Sequence, residues 1–294
     1  MTIDFSGKTA IISGAAGGIG LALSKELGTL GMNIVMADID MQNLQRSADA
    51  LSSQGINVLA CGLDVTQYEQ WEKVVADAKD KFGRVHMLVN NAGVGGIPGK
   101  IEDTNHDTWR WVVDVNLMGV LYGTQATTPA IKESGDGGWI INVASMAGMG
   151  GVPYSGAYSA TKAAVVSMTE SWAAELKHHK IFVSALCPAF VKTRIHESLR
   201  TIQDKYKSDK PMGDPKSLKK GFNMAAALVE SGIPTELLAK RVVEALNNKQ
   251  TYIFTHPNYR DVVAGRAKAL DNAFADAENS PLVKHLKDDE IVSL

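Results

Sequence analysis

From the N-terminus to about residue 254, short runs of apolar, β-prone residues alternate with longer stretches of helical periodicity. That alternation constrains the fold more than any other feature of the chain. Thr9-Ala10-Ile11-Ile12 opens the series with no interior polar residue, the pattern of a strand covered on both faces. Further strands are expected at 33–37, 56–61, 87–89, 139–143, 181–186 and 251–254. Helical spacing is expected at 19–30, 40–53, 67–82, 107–133, 155–178, 235–247 and 258–275. Repeated strand–helix–strand units close as parallel pairs through right-handed crossovers. The expected class is therefore α/β: a doubly wound parallel sheet of about seven strands with helices on both faces.

The pattern breaks between 194 and 232, where Pro211, Gly213, Pro215 and scattered charge interrupt it. A connection this long is more often a functional lid than a linker. Its surplus of lysine and arginine reads first as a solvated face rather than as an anion site. With 294 residues the chain has room for two domains, but the strands run in one series. We expect one domain, 1–294, with a lid at 194–232 and a helical tail at 258–294. Thirty Lys+Arg against 32 Asp+Glu leave a net charge of −2, so nothing recruits nucleic acid or an anionic membrane. Cys61 and Cys187 are too few for a disulfide framework, and no apolar run is long enough to span a bilayer. The opening residues lack a signal-peptide pattern, so a cytoplasmic location is expected. His178-His179, His196-Glu197 and His106-Asp107 are adjacent pairs without the spacing of a metal site. No metal is expected.

Directly after the first strand comes Ser13-Gly14-Ala15-Ala16-Gly17-Gly18-Ile19-Gly20, leading into the first helix. Glycine permits a tight turn and close approach of backbone to a pyrophosphate, while a helix N-terminus offers N–H donors and positive potential. A dinucleotide site is the reading this placement favours over a merely structural turn. Asp38 ends the second strand, where a carboxylate accepts hydrogen bonds from an adenosine ribose and repels a 2′-phosphate. We therefore expect NAD rather than NADP. Taken alone, Asp38 reads equally as the cap of the next helix. Asp64 and Val65, after the third strand, read either as flanking an adenine or as a helix cap.

Further motifs follow in order: Asn90-Asn91-Ala92-Gly93, Asn116, Ser145, Tyr158-x-x-x-Lys162 and Pro188-x-x-x-x-Thr193. With the glycine turn, this set resembles the short-chain dehydrogenase/reductase family in its compact single-domain, Rossmann-like branch. The resemblance spans residues 6–193 and departs at Ala189, where the family commonly has glycine. It implies hydride transfer between an alcohol carbon and a nicotinamide, with Asn116, Ser145, Tyr158 and Lys162 as the catalytic set. Cofactor contacts are implied for Ser13, Gly14, Gly18, Ile19, Gly20, Asp38, Asp64, Val65, Asn91, Ala92, Gly93, Tyr158, Lys162, Pro188, Val191 and Thr193. It also implies that Asn116 holds a water in the proton path and that the chain forms a homotetramer or homodimer.

The chemistry asks for these residue types. A free tyrosine, with a pKa of about 10, is a poor base near neutrality. Lys162 lies one helical turn from Tyr158, and its charge favours phenolate. Ser145 can hydrogen-bond the substrate oxygen. Tyr206 and Lys210 share the spacing but sit in the irregular stretch, so we read that pair as coincidence. Cys187 reads as a buried small residue, and at least one of Trp109 and Trp111 as core or interface.

Segments 94–98, 146–154 and 190–199 are mostly apolar, with methionines at 146 and 149 suited to a bulky apolar or aromatic group. Segment 191–197 and the tail resemble dehydrogenases of bulky aromatic secondary alcohols, including lignin-derived aryl ethers. Hydroxysteroid oxidation is the close rival. Arg194 and His196 are expected at the surface. A different class, a dinucleotide-binding sensor without catalysis, would not need the Asn–Ser–Tyr–Lys set.

Overall fold

The computed structural model describes residues 3–207 and 215–290. Seven strands, β1 (Thr9–Ser13), β2 (Asn33–Asp38), β3 (Val58–Gly62), β4 (Met87–Asn90), β5 (Gly138–Val143), β6 (Ile181–Cys187) and β7 (Tyr252–Phe254), form one sheet. Its order is β3-β2-β1-β4-β5-β6-β7, and every pairing is parallel. The chain builds outward from β1 to β3 and then returns to place β4 on the other side of β1. That reversal opens a crevice at the C-terminal ends of β1 and β4, where ligands of doubly wound sheets bind.

Alternating side chains divide the core into two layers. On one face Ile12, Ile34, Met36, Val89 and Ile141 meet α1 (Gly18–Thr29), α2 (Met41–Ser52) and α8 (Thr235–Asn247) through Leu23, Leu27, Leu44, Leu238 and Val242. On the other, Ile11, Val35, Leu88, Ile140 and Val183 meet α3 (Tyr68–Phe82), α4 (His106–Val113) and α6 (Gly156–Leu176) through Trp71, Val74, Trp111 and Leu176. Trp111 is thus the core tryptophan of the expected pair.

The long helix expected at 107–133 is present but not uniform. It runs as α4, then a π-helical turn (Asp114–Met118), then α5 (Gly119–Ser134). π-turns inside α-helices cluster at functional sites, and this one carries Asn116. The irregular stretch also differs from expectation, because it contains a helix, α7 (Pro215–Glu230). Leu218, Phe222 and Val229 give a partial helical stripe, and Pro215 suits a first helical position, but the charge and Gly221 hid it. Pro211, Gly213 and Lys210 lie outside the described residues. Lys192 N–H donates to Ile233 O and Ile233 N–H to Phe190 O, both at 3.0 Å, around a parallel bridge of Val191 with Ile233. The chain thus leaves the sheet after β6 and returns to the same point.

The chain divides into two compact units, 1–255 and 256–294. The second holds a turn at Pro257–Tyr259, α9 (Arg260–Asn279) and a turn at Lys284–Leu286. No residue of α9 is buried, and Leu270 and Phe274 are exposed. Among the described residues no helix is long and apolar enough to cross a membrane.

Candidate active site

The turn after β1 is built on backbone that other residues rarely adopt. Gly14 and Gly18 have φ of +65° and +56°. A Cβ on Gly14 would lie 2.8 Å from Ala92 Cα, and one on Gly20 only 2.3 Å from Gly14 O. The turn is locked from below. Ser13 Oγ accepts from the N–H groups of Asn91 and Ala92 at 3.0 and 3.1 Å. Asn91 Nδ2 donates to Ser13 O and Gly14 O at 2.8 and 3.0 Å. Asn91 therefore shapes the cleft by holding the glycine turn, its amide already engaged there.

α1 begins with no side-chain cap and no acidic residue in its first turn. Its leading N–H groups are left for an anion, and the open space above Gly17 has room for one. At the end of β2, Asp38 Oδ2 accepts from Ala16 N–H and Oδ1 from Asp40 N–H, each at 2.9 Å. Asp40, not Asp38, caps α2 by accepting from Asn43 N–H at 3.2 Å. The cap alternative for Asp38 is thereby removed, and its carboxylate is tied to the glycine turn through Ala16 N–H. Asp64 accepts from Thr66 N–H and Oγ1, and the N-cap position of α3 falls on Gln67 instead. Both carboxylates and the uncapped helix suit a dinucleotide's ribose, adenine and pyrophosphate.

The catalytic candidates converge past the ends of β4, β5 and β6. Ser145 is extended and caps the 3₁₀ turn Met146–Gly148, accepting from Ala147 N–H at 3.1 Å. Pro188 O receives hydrogen bonds from Met146 N–H at 2.9 Å and Ser145 Oγ at 3.4 Å, tying the turn after β5 to that after β6. Tyr158, on the first turn of α6, is half-buried and hydrogen-bonds Ser145. Burial raises its phenol above the ordinary range, and the serine bond pulls it back. Lys162 is 3% exposed, with Nζ 5.7 Å from the Tyr158 ring centroid and donating to Val143 O at 2.6 Å. Burial brings its ammonium down to about 8. Cys187, next to it, is fully buried, its thiol pushed up to about 12 by burial. That is an inert packing residue.

Asn116 is fully buried and clasps Val94: Oδ1 accepts from Val94 N–H at 2.8 Å and Nδ2 donates to Val94 O at 2.9 Å, with a longer bond to Thr161 Oγ1 at 3.5 Å. A Cβ on Gly93 would fall 3.4 Å from Asn116 Oδ1 and 3.5 Å from Lys162 Nζ. Gly93 thus lets the loop after β4 run between those two side chains. Ala189 has no positive φ, which is why alanine is accommodated there. Thr193 lies against Gly18, and Val191 sits in the bridge at the base of the lid.

Several contributors carry no local sequence signal. Asn90 Nδ2 donates to Thr124 Oγ1 and Asn142 Oδ1 at 3.0 and 2.9 Å, and Asn142 Nδ2 donates to Thr169 Oγ1 at 3.0 Å. This buried ladder fixes β4 and β5 to α5 and α6 beneath the site. Gly148 packs on α6 so closely that a Cβ would lie 2.5 Å from Lys162 O. Tyr154 adopts φ +64° without being glycine, a local strain of the kind found at ligand clamps. Of the two residues expected at the surface, Arg194 is exposed and ion-paired with Glu197 at 2.6 Å, whereas His196 is half-buried. Among the described residues no group of three His, Cys, Asp or Glu side chains is placed to hold a metal ion.

Residues 8–204 match the family model for short chain dehydrogenase. The chain belongs to the short-chain dehydrogenase family. This dehydrogenase is therefore an oxidoreductase acting on CH–OH groups. It is 32% identical over 271 residues to the CLA biosynthesis dehydrogenase/reductase of Lactiplantibacillus plantarum, covering 91% of this chain and 94% of that one. It is 29% identical over 279 residues to the C alpha-dehydrogenase of Sphingobium sp., covering 95% and 90%. The crystal structure of a short chain dehydrogenase/reductase from Burkholderia phymatum in complex with NAD superposes with a TM-score of 0.89 at 33% identity, over 92% of this chain and 97% of that one.

Proposed function

We propose that this dehydrogenase uses NAD to interconvert a secondary alcohol and a ketone carrying a bulky apolar or aromatic group. Tyr158, hydrogen-bonded to Ser145 and one helical turn from Lys162, carries the reading. In the oxidative direction Tyr158 accepts the hydroxyl proton, and in the reductive direction it donates one. Ser145 Oγ orients the substrate oxygen and stabilises its developing charge. Lys162 stabilises the phenolate through its charge and, beside Gly93, stands where it can bind the nicotinamide ribose. Asn116 holds the Val94 backbone, and its π-turn shapes the proton path toward Lys162. When bound, the coenzyme supplies the hydride acceptor and a positive ring that further favours phenolate. Ser13, Gly14, Gly18, Ile19, Gly20, Ala92, Gly93, Pro188, Val191 and Thr193 form its cradle, with Asp38, Asp64 and Val65 at the adenosine end.

Asp38 supports NAD over NADP, because a carboxylate facing the ribose repels a 2′-phosphate. Met146, Met149, Val94 and Phe190 support the apolar substrate, as does the similarity to a C alpha-dehydrogenase. The buried free thiols of Cys61 and Cys187 fit a reducing compartment, the cytoplasm. A homotetramer formed through the long helix 106–134 and α6 completes the proposal, and sedimentation as a monomer at micromolar concentration would contradict that part.

The direct test offers NAD and NADP with aromatic, steroidal and small aliphatic secondary alcohols, following absorbance at about 340 nm. The proposal expects stoichiometric NADH formation, fastest with a bulky aromatic alcohol. No reduction of either coenzyme would overturn it. A higher kcat/KM with NADP would overturn the role of Asp38, and preference for steroids would transfer the substrate assignment to hydroxysteroids.

A further inference from the structure

After β6, residues 193–206 do not fold away from the cleft. They cross its adenosine side and are fastened to a different element at each step. Thr193 Cγ2 would lie 3.3 Å from a Cβ on Gly18, in the glycine turn. Ser198 Oγ accepts from Gly95 N–H at 2.9 Å, beyond β4. The Arg200 guanidinium stands 3.6 Å from Asp40 Oδ2, two residues past Asp38. Lys205 Nζ donates to Thr66 Oγ1 at 3.2 Å, where α3 begins. The buried Tyr206 hydroxyl donates to Asp114 Oδ2 at 2.7 Å, at the start of the π-turn. Leu199 and Ile202 pack against the buried cluster that contains Val65 and Val115.

The turns after β2, β3 and β4 are the walls between which the adenosine would lie on the reading given above. The bonds of Ser198, Arg200 and Lys205 to Gly95, Asp40 and Thr66 join those walls to one another across the opening. Two atoms of the segment, His196 Nδ1 and Gln203 Oε1, are buried with no hydrogen-bond partner among the described residues. Buried polar atoms are normally paired, so their state fits a segment shaped around a polar guest.

We propose that residues 193–206 are a strap over the adenosine half of the coenzyme site, latched by Tyr206 on Asp114, so that coenzyme release requires the strap to lift. The inference rests on the NAD reading. Tyr206 is the main latch because its bond is sheltered and charge-assisted, which makes it roughly twice as strong as a neutral one. The ion pair of Arg200 with Asp40 is partly exposed and screened, so its hold is weaker. The bridge of Val191 with Ile233 pins the base, leaving the Tyr206 end to open. Tyr206 touches neither reacting atom. It is a positioning residue acting through Asp114.

NADH release is measured by stopped-flow displacement, following nucleotide fluorescence, for wild type, Tyr206→Phe and Arg200→Ala. Tyr206→Phe keeps the ring and removes only the latch, and its off-rate is expected to rise about tenfold. Arg200→Ala should raise it about two- to threefold. In both, the off-rate should change more than the rate of hydride transfer in a single turnover. Off-rates within about twofold of wild type for Tyr206→Phe would overturn the strap, whatever happens to turnover. Should Tyr206→Phe fold poorly by thermal melting, Ser198→Ala and Arg200→Ala still test the strap, and unchanged release in both would overturn it. Failure of the wild type to bind NADH would instead strike the coenzyme reading itself, before any variant is compared.

Discussion

The floor of the site and the strap above it are both fastened by contacts reaching far along the chain, but different groups make them. In the floor, side chains clasp backbone: Asn91 holds Ser13 and Gly14, Asn116 holds Val94, Lys162 holds Val143. In the strap, side chains mostly meet other side chains: Arg200 with Asp40, Lys205 with Thr66, Tyr206 with Asp114. A clasp on backbone requires one residue type at one place, since the partner cannot vary. A side-chain pair can be replaced by another pair. The floor is therefore the part of this dehydrogenase whose residue types are most restricted, and the strap is the part whose pairs can be exchanged.

Substitutions in the floor should accordingly cost most. Lys162→Met is expected to lower turnover by about a hundredfold to ten-thousandfold and yet stabilise the fold. The ammonium is held at about 8, below its ordinary 10.5, so the folded chain binds fewer protons between those values and its stability rises with pH there. The penalty is fully present below about pH 8 and gone above about 10.5. It amounts to about 3 kcal/mol, less about 1 kcal/mol for the lost bond to Val143. Denaturant unfolding at pH 7 and pH 10.5 checks this, and equal stability changes at both would contradict it.

Next in size, Asn116→Leu leaves Val94 N–H and C=O buried without partners. A loss of about 2–4 kcal/mol is expected in chemical denaturation, with turnover falling alongside. Gly20→Ala should cost about 1–3 kcal/mol by driving a Cβ against Gly14 O, and coenzyme binding should weaken because the turn must shift. If Gly20→Ala bound NADH as tightly as wild type, the floor would be less rigid than described. The smallest effect belongs to the strap: Arg200→Ala, which removes a partly exposed side-chain pair with Asp40, should change stability by less than about 1 kcal/mol. A larger loss there would erase the distinction between floor and strap.

That distinction also explains what could be read from the sequence. Strand and helix order was legible because the strands are covered on both faces and carry unbroken apolar runs, as in Ile11 and Ile12. The glycine turn was legible because close backbone approach restricts residue type, whereas Asn116 and the pairing of Tyr158 with Lys162 stood out only through the ordered set of motifs that resembles the family. α7 was not, since Gly221 and a run of lysines blur its periodicity. Tyr206 reads from the sequence as a chance partner of Lys210, and its bond to Asp114 spans 92 residues that no local pattern connects. The ladder from Asn90 through Asn142 to Thr169 was equally invisible, because its members look like ordinary polar residues until the sheet aligns them.

The central claim is that Tyr158 moves the proton. The most direct measurement is single-turnover reduction of bound NAD by Tyr158→Phe, with NADH affinity measured by fluorescence on the same preparation. Hydride transfer should fall by about a thousandfold while affinity stays within about twofold of wild type. Hydride transfer at near wild-type rates would contradict the account.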